Sequence, residues 1–254
     1  MPLYSADALV LRTYKLGEAD RIVVFLTRDR GKKRGVAQSA RRPRSRFTGA
    51  LEPLTEVRVA YFEKEQRELV SLNFAEPVRS PLSTPNPDAL GYSAYFAELI
   101  DAGAADADPD ERLYRLGVAT LEAVTAGGAV EPLARYFECW LLRLQGVYPP
   151  EVACGVCGQE FGAGDGAFLA VDGHGFVCRS CHGAHGTDDR YLSAQALAFL
   201  QAARRVRPSE AAALGATPSV LRELEVAHRA LIAAHFDRTL RSVRVVQDLT
   251  RPRP

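Results

Sequence analysis

The sequence predicts an α+β multidomain protein: an N-terminal five-stranded β-barrel of the OB-fold type, then an α-helical domain with an inserted zinc ribbon. Three observations lead there. Short β-rich runs crowd the first third of the chain, helical apolar spacing dominates the rest, and two Cys-x-x-Cys pairs interrupt the helices. With 254 residues, 47% of them apolar, the chain is long enough for one large domain or two to three small ones, each with its own core.

From Ala8 to about Val78 the runs ALVLRT, RIVVFLT, GVAQSA, LTEVRVAYFE and ELVSLNFAEPV alternate with turn signals, with glycines at 17, 31, 35 and 49. Five short strands fit a small Greek-key barrel of the oligonucleotide-binding kind, and an SH3-like barrel would give the same pattern. The segment Pro77 to Pro87, PVRSPLSTPNP, holds four prolines without apolar periodicity and reads as a linker. The expected domains are therefore residues 1–79, a nucleic-acid-binding barrel, and residues 80–254. In the second, DALGYSAYFAELIDA, DERLYRLGVATLEAVTA and PLARYFECWLLRLQG carry helical spacing and predict three packed helices. Helical patterning resumes at SAQALAFLQAARR and TPSVLRELEVAHRALIAAHF, after a cysteine-bearing insert at about 150–186.

Cys154 and Cys157 form one pair and Cys178 and Cys181 the other, with twenty residues between the pairs. Two residues between paired cysteines let both sulfurs face one metal, and four thiolates complete a closed tetrahedron with no position left for water. The expectation is one structural Zn2+ ion. FLAV and GFVC flank Asp172-Gly173-His174-Gly175 and predict a β-hairpin between the pairs, the arrangement of a zinc ribbon. His174, His182 and His185 lie close by as alternative ligands and read better as surface residues. Cys139 sits beside Trp140 in an apolar run and reads as a buried, inert thiol. His228 and His235 share a helix face and read as packing or surface residues rather than a metal pair.

The net charge of +1 conceals segregation: Arg28, Arg30, Lys32, Lys33, Arg34, Arg41, Arg42, Arg44 and Arg46 face the single acid Asp29, a local +8 that leaves −7 for the remainder. So much like charge in nineteen residues repels itself and is best tolerated when a polyanion neutralises it, which points to nucleic acid. Without a regular base-reading helix in the patch, contacts are expected to fall on phosphates, with low sequence specificity. Tyr14, Phe47, Tyr61 and Phe62 are the local candidates for stacking on bases, Phe47 foremost because it abuts the arginines. No Walker loop, Ser-His-Asp or Cys-His pairing, or two-metal carboxylate cluster stands out, so a non-enzymatic protein is expected. The acids at 106 to 111 read as a helix N-terminus. No stretch resembles a membrane span or an export signal, and a cytoplasmic, nucleoid-associated protein is expected.

Three segments resemble the bacterial RecO recombination mediators. They are ALVLRTYKLGEADRIVVFLTRDRG, GVAQSARRPRSRFTGALEPLTEVRVAYFE and WLLRLQGVYPPEVACGVCG, spread over most of residues 8 to 181. The resemblance implies an oligonucleotide-binding barrel and a helical domain with a four-cysteine zinc site. It also implies binding of single- and double-stranded DNA, annealing of complementary strands, and work with RecR and single-stranded-DNA-binding protein to load the recombinase in recombinational repair. On that reading Lys32 to Arg46 would hold DNA backbone and the cysteines would brace the second domain. The tail after Phe236 resembles the family least and receives no role. Two other readings fit the same residues: a zinc-ribbon transcription regulator, and a zinc-stabilised scaffold whose basic loop binds an acidic protein.

Overall fold

The structure, a computed structural model, describes residues 2–64, 68–170, 175–183, 190–237, 240–243 and 246. Strands β1 (Leu3–Leu16), β2 (Asp20–Thr27), β3 (Gly31–Ala37), β4 (Glu56–Phe62) and β5 (Leu69–Arg79) close a barrel in the order β1-β2-β3-β5-β4. Every pairing is antiparallel except β3 with β5. That closure is the oligonucleotide-binding order and decides between the two barrel types. Side chains alternate across each strand, so Ala6, Ala8, Val10, Val23, Phe25, Ala37, Val57, Val59, Tyr61, Val70 and Leu72 fill the interior.

Two strand boundaries differ from the sequence expectation. β3 begins at Gly31, so Lys32, Lys33 and Arg34 are strand residues rather than loop residues. They pair along Leu26, Phe25 and Val24 of β2, a long-range constraint that overrides their poor strand pattern. β5 likewise continues through Pro77 to Arg79, Pro77 facing Val57 next to a register shift where a missing N–H is tolerated. The linker is correspondingly shorter, with a 3-10 turn at Pro81–Ser83.

The chain forms two compact units, one of residues 1–127 and 240–254, the other of residues 128–239. In the first, α1 (Asp88–Gly103) and α2 (Glu111–Thr125) pack on the barrel. They have reason to: Leu9, Leu11, Val24 and Leu26 are buried but are not among the residues filling the barrel interior, and burial of four such side chains is worth several kcal/mol. Gly117 lets α2 approach, since a Cβ there would stand 2.5 Å from Leu9 Cδ1. Asp110 caps α2 by accepting from the Leu113 amide, as the acid-rich N-terminus led us to expect. Two of the three expected helices thus belong to the first unit, on the outer face of the barrel. Leu240 and Val246 are buried, and Glu98 of α1 accepts from the amides of Arg241 and Ser242, a return of the chain to the first unit that no local pattern predicts.

The second unit holds α3 (Val130–Leu144), β6 (Ala167–Ala170), β7 (Gly175–Val177), α4 (Arg179–His182), β8 (Arg190–Leu192), α5 (Ala194–Ala203) and α6 (Pro218–Phe236). The strands form a sheet in the order β7-β6-β8. Ser193 and Thr217 cap α5 and α6 through their hydroxyls. Its core is partly ionic. Arg135 and Glu138 of α3 pair at 3.0 Å, both buried. Glu138 also meets His228 Nδ1 at 2.9 Å, and His228 Nε2 meets the Tyr148 hydroxyl at 2.9 Å. A carboxylate only accepts and burial keeps the Tyr148 hydroxyl protonated, so the neutral ring donates from Nδ1 to Glu138 and accepts from Tyr148 at Nε2.

Burial holds His228 below its ordinary 6.5, against the opposing pull of Glu138 and with Arg135 and Arg143 adding to the depression. The unfolded ring takes up a proton near 6.5 while the folded one does not, so stability contributed by this group is complete above about pH 6.5 and declines below it. Chemical denaturation at pH 7.5, 6.5 and 5.5 is expected to show a loss of about 1 kcal/mol across the last step. A flat profile would contradict the neutral buried ring.

Candidate metal centre and nucleic-acid interface

The first cysteine pair lies on a small hairpin, the bridge between Ala153 and Glu160. Gly158 turns it with φ of 75°, left-handed backbone that a side chain would strain. The second pair follows β7, with Cys178 at the head of α4 and Cys181 within it. All four sulfurs lie within 4.8 Å of one another, with Cys157 and Cys178 at 3.9 Å. Four sulfurs at about 2.3 Å from one zinc ion stand about 3.8 Å apart, so the donor set fits that metal. Amides support the sulfurs, the Cys178 N–H lying 3.4 Å from Cys154 Sγ. Burial pushes the Cys154 thiol up, but hydrogen bonds from the backbone of Cys157, Cys178 and Val156 outweigh it and bring it down to about 6. Hydrogen bonding to Cys178 and Cys157 pushes the Cys181 thiol up to about 12. The four cysteines thus form a cluster able to hold a structural metal ion.

Around the sulfurs, Cys154, Ala170, Val177 and Cys178 form a small core with Phe161 and Cys181 at its edge, and Ala167, Leu169 and Phe176 of the same segment are also buried. His182 lies flat on Phe168 with ring centroids 3.6 Å apart, which occupies it away from the sulfurs. His174 and His185, and most of the expected hairpin turn, lie outside the described residues. Cys139 is fully buried, its thiol pushed up to about 12 by desolvation, and stands apart from the quartet.

The nine basic residues separate into two groups. Those on β3 and the turn before it are engaged by acids: Arg28 with Glu111 at 2.8 Å, Lys33 with Glu63 at 2.7 Å, and Arg34 with Asp106 at 3.6 Å. Lys32, only 11% exposed, sits 3.5 Å from both Asp101 and Asp106. Arg30 lies 3.8 Å from Asp29 and 4.2 Å over the Tyr4 ring. The segment joining α1 to α2 delivers Asp106 by pairing with the barrel, Lys32 donating to the Ala105 carbonyl and Ala107 to that of Lys32. Gly31 permits the contact, since a Cβ there would fall 2.4 Å from the Asp108 amide. Sequence reading missed this neutralisation; the acidic run at 101–111 was its only trace.

The second group, Arg41, Arg42, Arg44 and Arg46, is exposed on the loop between β3 and β4 and forms no ion pair with a described residue. The loop is well anchored. Asp20 accepts from the Ser39 amide, Ala19 from that of Arg41, and the Arg41 guanidinium donates to the carbonyls of Gly17 and Glu18. Downstream, Phe47, Ala50 and Leu51 enter the barrel core, and Leu54 donates to the Val10 carbonyl. Phe47 is therefore 2% exposed, with Arg46 over its ring, and has no face to offer a base. Tyr61 is likewise interior, whereas Tyr14 is exposed.

The family model described as "Recombination protein O N terminal" matches residues 1–81, and "Recombination protein O C terminal" matches residues 85–244. A DNA repair protein RecO from Koribacter versatilis is 42% identical over 180 residues, 69% of this chain and 71% of its own. That of Geobacter sulfurreducens is 35% identical over 245 residues, 96% of this chain and 97% of its own. That of Anaeromyxobacter sp. (strain K) is 33% identical over 243 residues, 95% and 94% of the two chains.

Proposed function

The chain belongs to the RecO family, and from that premise we propose that it is a non-enzymatic DNA-binding protein of recombinational repair. It grips single- and double-stranded DNA through phosphates, with low sequence specificity, anneals complementary strands, and helps load the recombinase together with RecR and single-stranded-DNA-binding protein. The observation that carries the reading is the anchored loop with Arg41, Arg42, Arg44 and Arg46 exposed and unpaired among the described residues. Annealing two polyanions requires screening their repulsion while leaving base edges free, and fixed guanidinium groups without a base-reading helix do both. Arg28, Arg30, Lys32, Lys33 and Arg34 take a smaller share because acids already engage them, and Phe47 takes none.

In the same proposal residues 1–79 are the nucleic-acid-binding domain and residues 80–254 the helical domain. Cys154, Cys157, Cys178 and Cys181 hold one Zn2+ ion, which cross-links two chain segments and takes no part in chemistry. No nucleotide is consumed. The partnerships with RecR and single-stranded-DNA-binding protein rest on family membership, as does the cytoplasmic location. Among the described residues no helix is long and apolar enough to cross a membrane.

The test is the salt dependence of binding to a mixed-sequence single strand and to a duplex, for wild type and for Arg41→Glu, Arg42→Glu and Arg44→Glu combined. The log–log slope on single strands is about 0.7 per phosphate contact. Loss of three contacts is expected to flatten it by about 2 and to weaken binding at low salt more than ten-fold. An unchanged slope would place the grip elsewhere. Strong preference for one duplex sequence would favour a transcription regulator, and absence of salt-sensitive binding would favour the protein scaffold.

A further inference from the structure

We infer that Cys157 is an oxidation site for hydrogen peroxide, and that it joins Cys178 in a disulfide that releases the metal; the inference rests on the four-cysteine zinc reading above. The four sulfurs are not equivalent. Cys154 is buried, and the Cys178 amide lies 3.4 Å from its sulfur. Cys178 is buried as well, and Cys181 is half-buried. Cys157 is the exposed member of the quartet, in a stretch from 155 to 160 that is exposed throughout. A metal keeps a bound sulfur as thiolate, the form that attacks peroxides, and an amide hydrogen bond draws density away from it. Among the described residues no amide donates to the Cys157 sulfur, whose one recorded contact is Cys178.

That contact supplies the second cysteine. The two sulfurs stand 3.9 Å apart, and a disulfide of about 2 Å requires one of them to move. Cys157 is the freer one: it lies in the small hairpin closed by the single bridge from Ala153 to Glu160 and turned at Gly158, whereas Cys178 leads from β7 straight into α4. A cleft of about 350 Å3 lined by Gln159, Asp165, Arg179 and Tyr191 reaches Cys178, ample for a molecule little larger than water at roughly 30 Å3. In the first step the Cys157 thiolate attacks one peroxide oxygen; the S–O bond forms, the O–O bond breaks and hydroxide leaves, the sulfur having given up two electrons. In the second the Cys178 thiolate attacks that sulfur; the S–S bond forms, the S–O bond breaks and a second hydroxide leaves. Two thiolates and one peroxide become one disulfide and two hydroxides. Cys154 and Cys181 then remain as the only donors, and two thiolates do not complete the tetrahedron of a structural zinc site. The change falls in the second unit, while Arg41, Arg42 and Arg44 belong to the first, so peroxide acts on the metal-braced unit and not on the phosphate grip.

The experiment treats full-length wild type, freed of reductant, with hydrogen peroxide. A chromogenic chelator too weak to strip the native site reads released zinc, and a cyclic 1,3-diketone traps sulfenic acid; peptide mass mapping locates the trap and the disulfide. About one zinc per chain is expected to be released, and none without peroxide. The trap should fall on Cys157, and in its absence a Cys157–Cys178 disulfide should form. Fully buried Cys139 is the control within the same chain and should stay unmodified. Wild type carries the test because Cys157→Ser removes a donor to the metal. Zinc retained under excess peroxide would overturn the inference, as would a trap first found on Cys154, Cys178 or Cys181, or disulfides confined to each Cys-x-x-Cys pair; all of these leave the zinc reading standing. Modified Cys139 would mean that the unit unfolds before it is oxidised, which overturns it too. Protein that holds no zinc before peroxide is added overturns both.

Discussion

Removal of metal from the purified protein with a strong chelator is expected to unfold the segment from about Val152 to His182. Among its described residues that segment buries only Cys154, Ala167, Leu169, Ala170, Phe176, Val177 and Cys178, too little to offset the ordering of the chain around them at about 1–2 kcal/mol per residue. Four clustered sulfurs supply the missing term: structural zinc in small sites binds with an apparent ~10–16 kcal/mol, comparable to the whole stability of an ordinary domain, ~5–15 kcal/mol. The effect should spread, because Tyr148 packs edge-on against Phe176 at 5.9 Å and Gln201 of α5 donates to the Glu151 carbonyl. Metal analysis should find about one zinc per chain before chelation, and limited proteolysis afterwards should cut between the two cysteine pairs. Cys154→Ser should reproduce the chelated pattern without chelator. A protein stripped of metal that melts and resists protease as before would refute the zinc reading while leaving the barrel and its loop untouched.

Glu138→Ala is expected to cost the second unit about 3–5 kcal/mol, the usual penalty when one member of a buried ionic pair is removed. The carboxylate serves two groups at once, Arg135 at 3.0 Å and the donated Nδ1–H of His228 at 2.9 Å. Neither partner reaches water, since all three residues are buried. Their positions on α3 and α6 explain the reach of the effect: the loss unties the two helices from each other and from Tyr148 beyond. Urea denaturation of the variant checks it, and a loss under about 1 kcal/mol would mean that the neighbourhood relaxes enough to hydrate the arginine.

Much of the architecture was legible because it is written in local chemistry. The pairs Cys154/Cys157 and Cys178/Cys181 announce a shared site through their spacing alone, and the helices from Asp88, Glu111, Val130 and Pro218 through their apolar period. What escaped is set by contacts between residues distant in sequence. Lys32, Lys33 and Arg34 gave no strand pattern because their outward positions are satisfied by Asp101, Asp106 and Glu63, beyond the reach of any local window. Phe47 looked like a stacking residue by adjacency to Arg46, yet the loop folds back so that its ring enters the barrel core with the exposed Arg46 guanidinium lying over it. His228 read as a packing or surface residue; it is a packed one, and its partners Glu138 and Tyr148 lie far away along the chain.

The path of the chain has a last consequence. It leaves the first unit after Gly127 and rejoins it at Leu240, where Glu98 receives the amides of Arg241 and Ser242. The second unit is thus an excursion moored at both ends, not an appendage hanging by one thread. A single nick anywhere between Gly128 and Thr239 leaves each fragment holding part of the first unit. The two halves stay together until that unit itself comes apart, and shortening the C-terminus before Leu240 loosens the mooring on the barrel's side of the molecule.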